Sequence, residues 1–253
     1  MAACRRRCDP VPARPPASYS YRFLAPLLVA AGYTVVTTDL RGHGESSASF
    51  TSYGDADTAG DTAALLERLG GPAVVVGNSM AAGAAVITAA NRPELVTGLV
   101  LIGPFVRNPA SFPALKRLAF RALMAPAWIA PVWGLYLPAL YAGQRPADFG
   151  GYRKTVLAAI RRPGYRRSFS RTTRTSHDDA AAVLARVSAP ALVVMGEKDP
   201  DFAGPLAEAR WAAAALRGSS VMVPNTGHYP QSQDPQRVGD AVISFLRGTA
   251  HHA

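Results

Sequence analysis

Short apolar runs rich in β-branched residues alternate along the chain with longer amphipathic stretches. Residues 33–39 (YTVVTTD), 73–77 (AVVVG), 97–103 (TGLVLIG), 191–196 (ALVVMG) and 219–224 (SSVMVP) read as strands. They lack the polar–apolar alternation of a half-exposed sheet, which predicts strands covered on both faces, as in a parallel sheet. Helical periodicity falls near 23–31, 55–69, 80–90, 203–216 and 235–247. Strand and helix therefore take turns, the pattern of a doubly wound α/β sheet.

The alternation stops between Phe105 and Ala189, where no strand pattern occurs and prolines punctuate several helical stretches. This segment predicts a helical insertion over one edge of the sheet. Its uncharged part, 122–144, raises the question of a membrane span. Pro126, Pro131 and Pro138 each interrupt the helical hydrogen bonding there, which argues against stable membrane insertion and for short helices over an apolar pocket.

Chemistry concentrates where predicted strands end. The run 73–77 leads into Gly77-Asn78-Ser79-Met80-Ala81 and then directly into a helix pattern. A serine on such a strand–turn–helix corner is a nucleophile elbow, with small residues two positions to either side so that strand and helix can approach. The N–H of Met80 and the positive end of the helix would favour an oxyanion. The plain alternative is a serine that only caps its helix. A serine needs a base, and of the five histidines His251 and His252 sit in a tail, His43 in a glycine loop and His177 in the insertion, where it reads as a polar surface position. His228, in Asn225-Thr226-Gly227-His228-Tyr229 after the last strand, is the candidate. The preceding strand ends in Glu197-Lys198-Asp199-Pro200-Asp201, making Asp199 the orienting acid with Asp201 and then Glu197 as fallbacks.

These segments, with Asp39-Leu40-Arg41-Gly42-His43-Gly44-Glu45-Ser46 after an early strand, resemble the cap-bearing members of the α/β-hydrolase superfamily over roughly residues 19–247. The resemblance implies an α/β fold with a mostly parallel sheet, a core formed by 19–104 and 190–253, and a helical cap at 105–189. It implies attack by Ser79, proton transfer by His228, orientation by Asp199, an acyl-enzyme opened by water, and no metal or organic cofactor. The Asp39–Ser46 loop is expected to be architectural. The expected function is a serine hydrolase cleaving an ester or related acyl bond in a small, partly apolar substrate. Carbon–carbon bond hydrolases, thioesterases and cofactor-free haloperoxidases use the same three residues.

The beginning departs from that pattern. Relatives place an apolar strand and a His-Gly loop before the position of Tyr19, and the loop donates a second N–H to the oxyanion. Here residues 4–16 read CRRRCDPVPARPP. Residues 1–18 are accordingly expected to be disordered, and the first strands of the sheet to be missing. A frame-shifted or mis-started GC-rich gene yields such runs of Arg, Pro and Ala; a truncation in an inactive protein, or an unusual donor within 17–21, are the alternatives. The second functional reading is thus a catalytically impaired hydrolase-fold protein that binds a ligand through its cap.

Composition narrows the remainder. Of 253 residues, 49% are hydrophobic and 17% charged, which excludes a disordered chain. Cys4 and Cys8 are too few for a disulfide scaffold or a four-cysteine zinc site. No apolar run follows the basic start, so a cytoplasmic location is expected. Arginine and lysine outnumber acids 27 to 17. Between Arg145 and Arg174 basic residues face a single acid, Asp148, with Tyr152, Tyr165 and Phe169 interleaved. A solvated helical face, a site that steers carboxylate-bearing substrates, and a nucleic-acid surface are the readings of that block; a basic nucleic-acid or membrane-surface protein is the third functional reading of the chain. The absence of a nucleic-acid-binding motif argues for a small-molecule partner.

Overall fold

The computed structural model describes residues 1–6, 19–108 and 114–249. In chain order the elements are β1 (Ala2–Arg6), α1 (Leu24–Ala30), β2 (Tyr33–Thr37), α2 (Asp55–Arg68), β3 (Ala73–Asn78), α3 (Met80–Asn91) and β4 (Val96–Ile102). The helices α4 (Ala114–Leu123), α5 (Ile129–Leu140), α6 (Phe149–Arg161), α7 (Tyr165–Thr172) and α8 (Asp178–Val183) follow without a strand between them. The sheet then resumes with β5 (Ala191–Gly196), α9 (Pro205–Ala215), β6 (Ser219–Val223), α10 (Pro230–Gln233) and α11 (Pro235–Thr249).

The strand order is β2-β1-β3-β4-β5-β6. β3 to β6 pair in parallel, and their side chains fill two cores. Val75, Leu99, Leu101 and Val193 face α2, α3 and α9, whereas Val74, Val76, Val100 and Val194 face α1 and α11. Burial on both faces is why β3, β4 and β5 read as unbroken apolar runs, whereas β6, at the sheet edge, is exposed at Ser219 and Ser220. The α/β-hydrolase architecture and the mostly parallel sheet match the sequence expectation.

One expectation fails. No strand was read before Tyr19, yet Ala2–Arg6 forms β1 and lies antiparallel to both β2 and β3. Its small side chains divide between the two cores, with Ala3 on one face and Ala2 and Cys4 on the other. Pairing along both edges stabilises a segment too short and too basic to show a strand pattern on its own. Residues 7–18 lie outside the described residues. The cysteine expectation resolves for Cys4 alone: it is buried, unpaired by a disulfide, and burial pushes its thiol up to about 12.

A second correction concerns proline. α5 runs through both Pro131 and Pro138. Pro131 sits in the first turn, where the missing N–H has no intrahelical acceptor to lose. Pro138 leaves the carbonyl of Gly134 without its usual donor, and Nε of Arg153 fills that role at 3.1 Å. Among the described residues no helix is long and apolar enough to cross a membrane.

Candidate active site

Ser79 occupies the corner between β3 and α3 with φ 60° and ψ −128°. A non-glycine residue held there stores backbone strain of about 1–3 kcal/mol. The corner is made possible by Gly77, where a Cβ would stand 2.5 Å from the carbonyl oxygen of Ala81. The Ser79 N–H donates to the carbonyl of Ile102 at 2.9 Å, and its carbonyl accepts from Ala82 and Phe105. Ser79 remains partly exposed at the carboxyl end of the sheet. Met80 is the first residue of α3, so its N–H has no acceptor within the helix.

His228 and Asp199 meet behind this corner. Nδ1 of the imidazole lies 2.8 Å from Oδ2 of Asp199, and both residues are at most 2% exposed. The carboxylate fixes the proton on Nδ1 and leaves Nε2 as the basic nitrogen. Asn78, next to Ser79 in the elbow, donates from Nδ2 to the carbonyl oxygens of Ile102 and His228. Serine and histidine loops are thereby tied together, although among the described residues Oγ of Ser79 makes no hydrogen bond to the imidazole. The ring of Phe105 lies against that of His228 in a tilted arrangement, with centroids 5.6 Å apart.

Asp201, the fallback acid, adds a second carboxylate rather than replacing the first. Its Oδ2 stands 3.5 Å from Nδ1 of His228, and its N–H donates to Oδ1 of Asp199 at 3.0 Å. The hydroxyl of Tyr136, from α5, donates to Oδ1 of Asp201. Burial raises the Asp201 carboxyl above the ordinary aspartate value. Burial pushes His228 down, but Asp199, through charge and hydrogen bond, and Asp201, through charge, outweigh it and leave the imidazole more basic than usual. Asp199, Asp201 and His228 are also the set whose donor atoms could converge on a cation among the described residues. The 2.8 Å separation of His228 and Asp199 is that of a direct hydrogen bond.

The helical segment supports the histidine loop directly. The His228 N–H donates to the carbonyl of Leu140, in the last turn of α5, at 2.7 Å. This contact requires Gly227, where a Cβ would stand 2.3 Å from the same oxygen. Glu197, the third candidate acid, turns away and accepts from the Asn225 N–H.

Several positions differ from the sequence reading. His177 is no open surface residue: its Nδ1 lies 2.8 Å from Oδ2 of buried Asp55, and its ring stacks nearly parallel to that of Phe105. His43 contacts the carbonyl of Arg41 instead of the site. The Asp39–Ser46 loop is held by internal bonds, with Asp39 accepting from the Glu45 N–H and the Ser46 hydroxyl. Of the aromatic side chains in the helical insertion, Tyr136 reaches the site, Tyr141 is fully buried against Tyr229, Trp133 packs on Phe169, and Trp128 is half exposed. Phe112 lies outside the described residues. Tyr136, Asn78 and Phe105 went unread because their roles depend on partners distant in sequence.

The family model for the alpha/beta hydrolase family matches residues 11–241. The chain belongs to that family. Membership places it among hydrolytic enzymes. This hydrolase is 28% identical over 240 residues to a 2-(acetamidomethylene)succinate hydrolase of Mesorhizobium japonicum, covering 85% of this chain and 78% of that protein. It is 29% identical over 239 residues to a putative non-heme bromoperoxidase, BpoC, of Mycobacterium tuberculosis, covering 87% and 86%. Among solved structures, a bromoperoxidase from Bacillus anthracis superposes with a TM-score of 0.80 at 18% identity, over 97% of this chain and 94% of the other. A thermophilic esterase from Thermogutta terrifontis superposes with a TM-score of 0.73 at 23% identity, over 91% and 85%. These likenesses below 25% identity speak for the fold.

Proposed function

We propose that this hydrolase cleaves an ester or related acyl bond in a small, partly apolar substrate, with Ser79, His228 and Asp199 as its catalytic residues. The observation that carries the reading is the buried His228–Asp199 hydrogen bond beside a serine held at φ 60°. Oγ of Ser79 attacks the acyl carbon while Nε2 of His228 takes its proton. Asp199 stabilises the imidazolium, and the Met80 N–H receives the developing oxyanion. The imidazolium then protonates the leaving group. A water molecule, deprotonated by His228, opens the acyl-enzyme and restores Ser79. Residues 19–104 and 190–249 form the catalytic core in this reading, and α4 to α8 form the cap. The names of the sequence relatives span hydrolysis and bromoperoxidase activity, and an acyl-enzyme is the chemistry the site geometry supports.

Fluorophosphonate labelling tests this. The probe needs an activated serine and an oxyanion site, so labelling at Ser79 that disappears in Ser79→Ala is the expected result. A folded chain that remains unlabelled overturns the proposal and favours a ligand-binding protein. One observation points that way. β1 runs antiparallel to β3, with Ala2 beside Val76 near the serine end and Cys4 beside Val74 farther from it. The strand between β2 and β3 thus runs away from the site instead of delivering a His-Gly loop to it.

A further inference from the structure

The outer face of α5 is apolar and unpartnered. Trp128 at its start, then Pro131, Leu135 and Ala139, recur at helical spacing and are all exposed. Leu135 is 80% exposed and Trp128 50%. Nε1 of Trp128 donates to the carbonyl of Ala122, which places the indole against the end of α4. Leu118 and Leu123 of α4 add two more large exposed apolar side chains, at 65% and 50%. A soluble protein rarely leaves such side chains together without use for them.

Cations surround this face. Arg145 donates to the carbonyl of Pro138, and Arg153 to that of Gly134, so both guanidinium groups lie along α5 itself. Arg174 donates to the carbonyls of Arg121 and Met124 at the end of α4. Arg166, Arg167 and Arg171 line a shallow groove of about 640 Å³ together with Pro126 and Ala127, the two residues before Trp128. Among the described residues none of these six arginines has a carboxylate partner.

We propose that this face docks the protein on the surface of an anionic lipid bilayer. An apolar stripe with a tryptophan, flanked by long cationic side chains, matches the boundary between headgroups and acyl chains. The stripe and indole enter that boundary, and the arginines reach the phosphates while their stems cover apolar surface. A second copy is a poor occupant, because pairing this face with itself opposes two sets of unpaired arginines. The exposed stripe of α5 carries no side-chain donor or acceptor except the indole N–H, which is already used. It therefore recognises apolar mass and negative charge together, which a bilayer presents. This docking is peripheral, and it does not depend on the acyl chemistry proposed for Ser79.

The test is sedimentation of the full chain with vesicles of phosphatidylcholine alone and with equal parts phosphatidylcholine and phosphatidylglycerol, at low and high salt. Binding is expected to the mixed vesicles, to weaken as salt screens the arginines, and to fall about tenfold in Leu135→Glu and in Trp128→Ala. Circular dichroism of each variant verifies folding. Leu135 and Trp128 are exposed and lie outside the catalytic residues, so their replacement leaves the core intact. Absence of binding to the mixed vesicles overturns the proposal. Binding abolished by salt yet indifferent to both substitutions also overturns it, since charge alone then suffices. A concentration-dependent dimer that Leu135→Glu dissociates assigns the face to a second copy instead.

Discussion

At Nδ1 of His228 two carboxylates serve one proton. Asp199 makes the 2.8 Å bond, and Asp201 stands at 3.5 Å under the control of Tyr136. Tyr229, in a T-shaped arrangement, and the rings of Phe105 and Phe202 also lie against the imidazole. Neutral imidazole is the active form of the proposed base, so labelling of Ser79 should rise with pH through a midpoint above the ordinary histidine value. Removing the second negative charge in Asp201→Asn makes His228 less basic and shifts that midpoint to lower pH. Tyr136→Phe removes a hydrogen bond that favours the Asp201 carboxylate; it shifts the midpoint the same way, by less. Asp199→Asn removes the larger charge and the hydrogen bond, so it lowers the midpoint further than Asp201→Asn and adds a loss in rate of about 10⁴ from a wrong tautomer. Labelling rates across pH separate these outcomes, and an unshifted midpoint in Asp201→Asn would remove Asp201 from the histidine's electrostatics. The pairing of His228 with Asp199 near Ser79 was legible because each of the three residues follows its own strand. Tyr136 was not, because nothing local marks which of several aromatic side chains in an insertion will meet an acid 65 residues later.

The helices and strands show a similar division between local and distant causes. The five strands read from the pattern all occur, with ends displaced by two residues or fewer: burial on both faces imposes an apolar run on β3, β4 and β5, while the edge strands β2 and β6, only partly buried, are marked by their valines. α5 was read as broken because local chemistry condemns Pro138, and only the folded arrangement supplies Arg153 to the stranded carbonyl. Arg153→Met is therefore expected to lower stability by about 1–2 kcal/mol, seen as a thermal midpoint reduced by roughly 2–8 °C. The reverse repair, Pro138→Ala, restores the backbone donor; in that background Arg153→Met should cost much less. At the far end of the same helix, Gly227→Ala drives a methyl group into the Leu140 carbonyl. A penalty of about 1–3 kcal/mol is expected, accompanied by slower labelling of Ser79, because the shifted loop carries His228. Calorimetry and labelling on one preparation measure both effects.

For the whole molecule, the sheet closes around an unexpected strand. β1 bridges β2 to β3, so the sheet would divide between them without it. In a Cys8→Ser variant, Cys4 should resist a thiol reagent under native conditions and react on unfolding, since its thiol is buried and raised to about 12. Rapid native reaction would place Ala2–Arg6 outside the sheet. This strand escaped notice because its stabilisation comes from backbone pairing on both edges, which leaves no hydrophobic signature.

The bond between the His228 N–H and the Leu140 carbonyl has a consequence for how substrate enters. Because α5 holds the backbone of the proposed base, any hinge that lifted its carboxyl-terminal end would withdraw the base from the serine at the same moment. The arrangement acts as an interlock: while that end gapes, the nucleophile is unarmed, and adventitious acyl compounds meeting an open site go unharmed. A productive entrance must therefore lie at another margin of the insertion, leaving the tethered end as the fixed pivot of any movement.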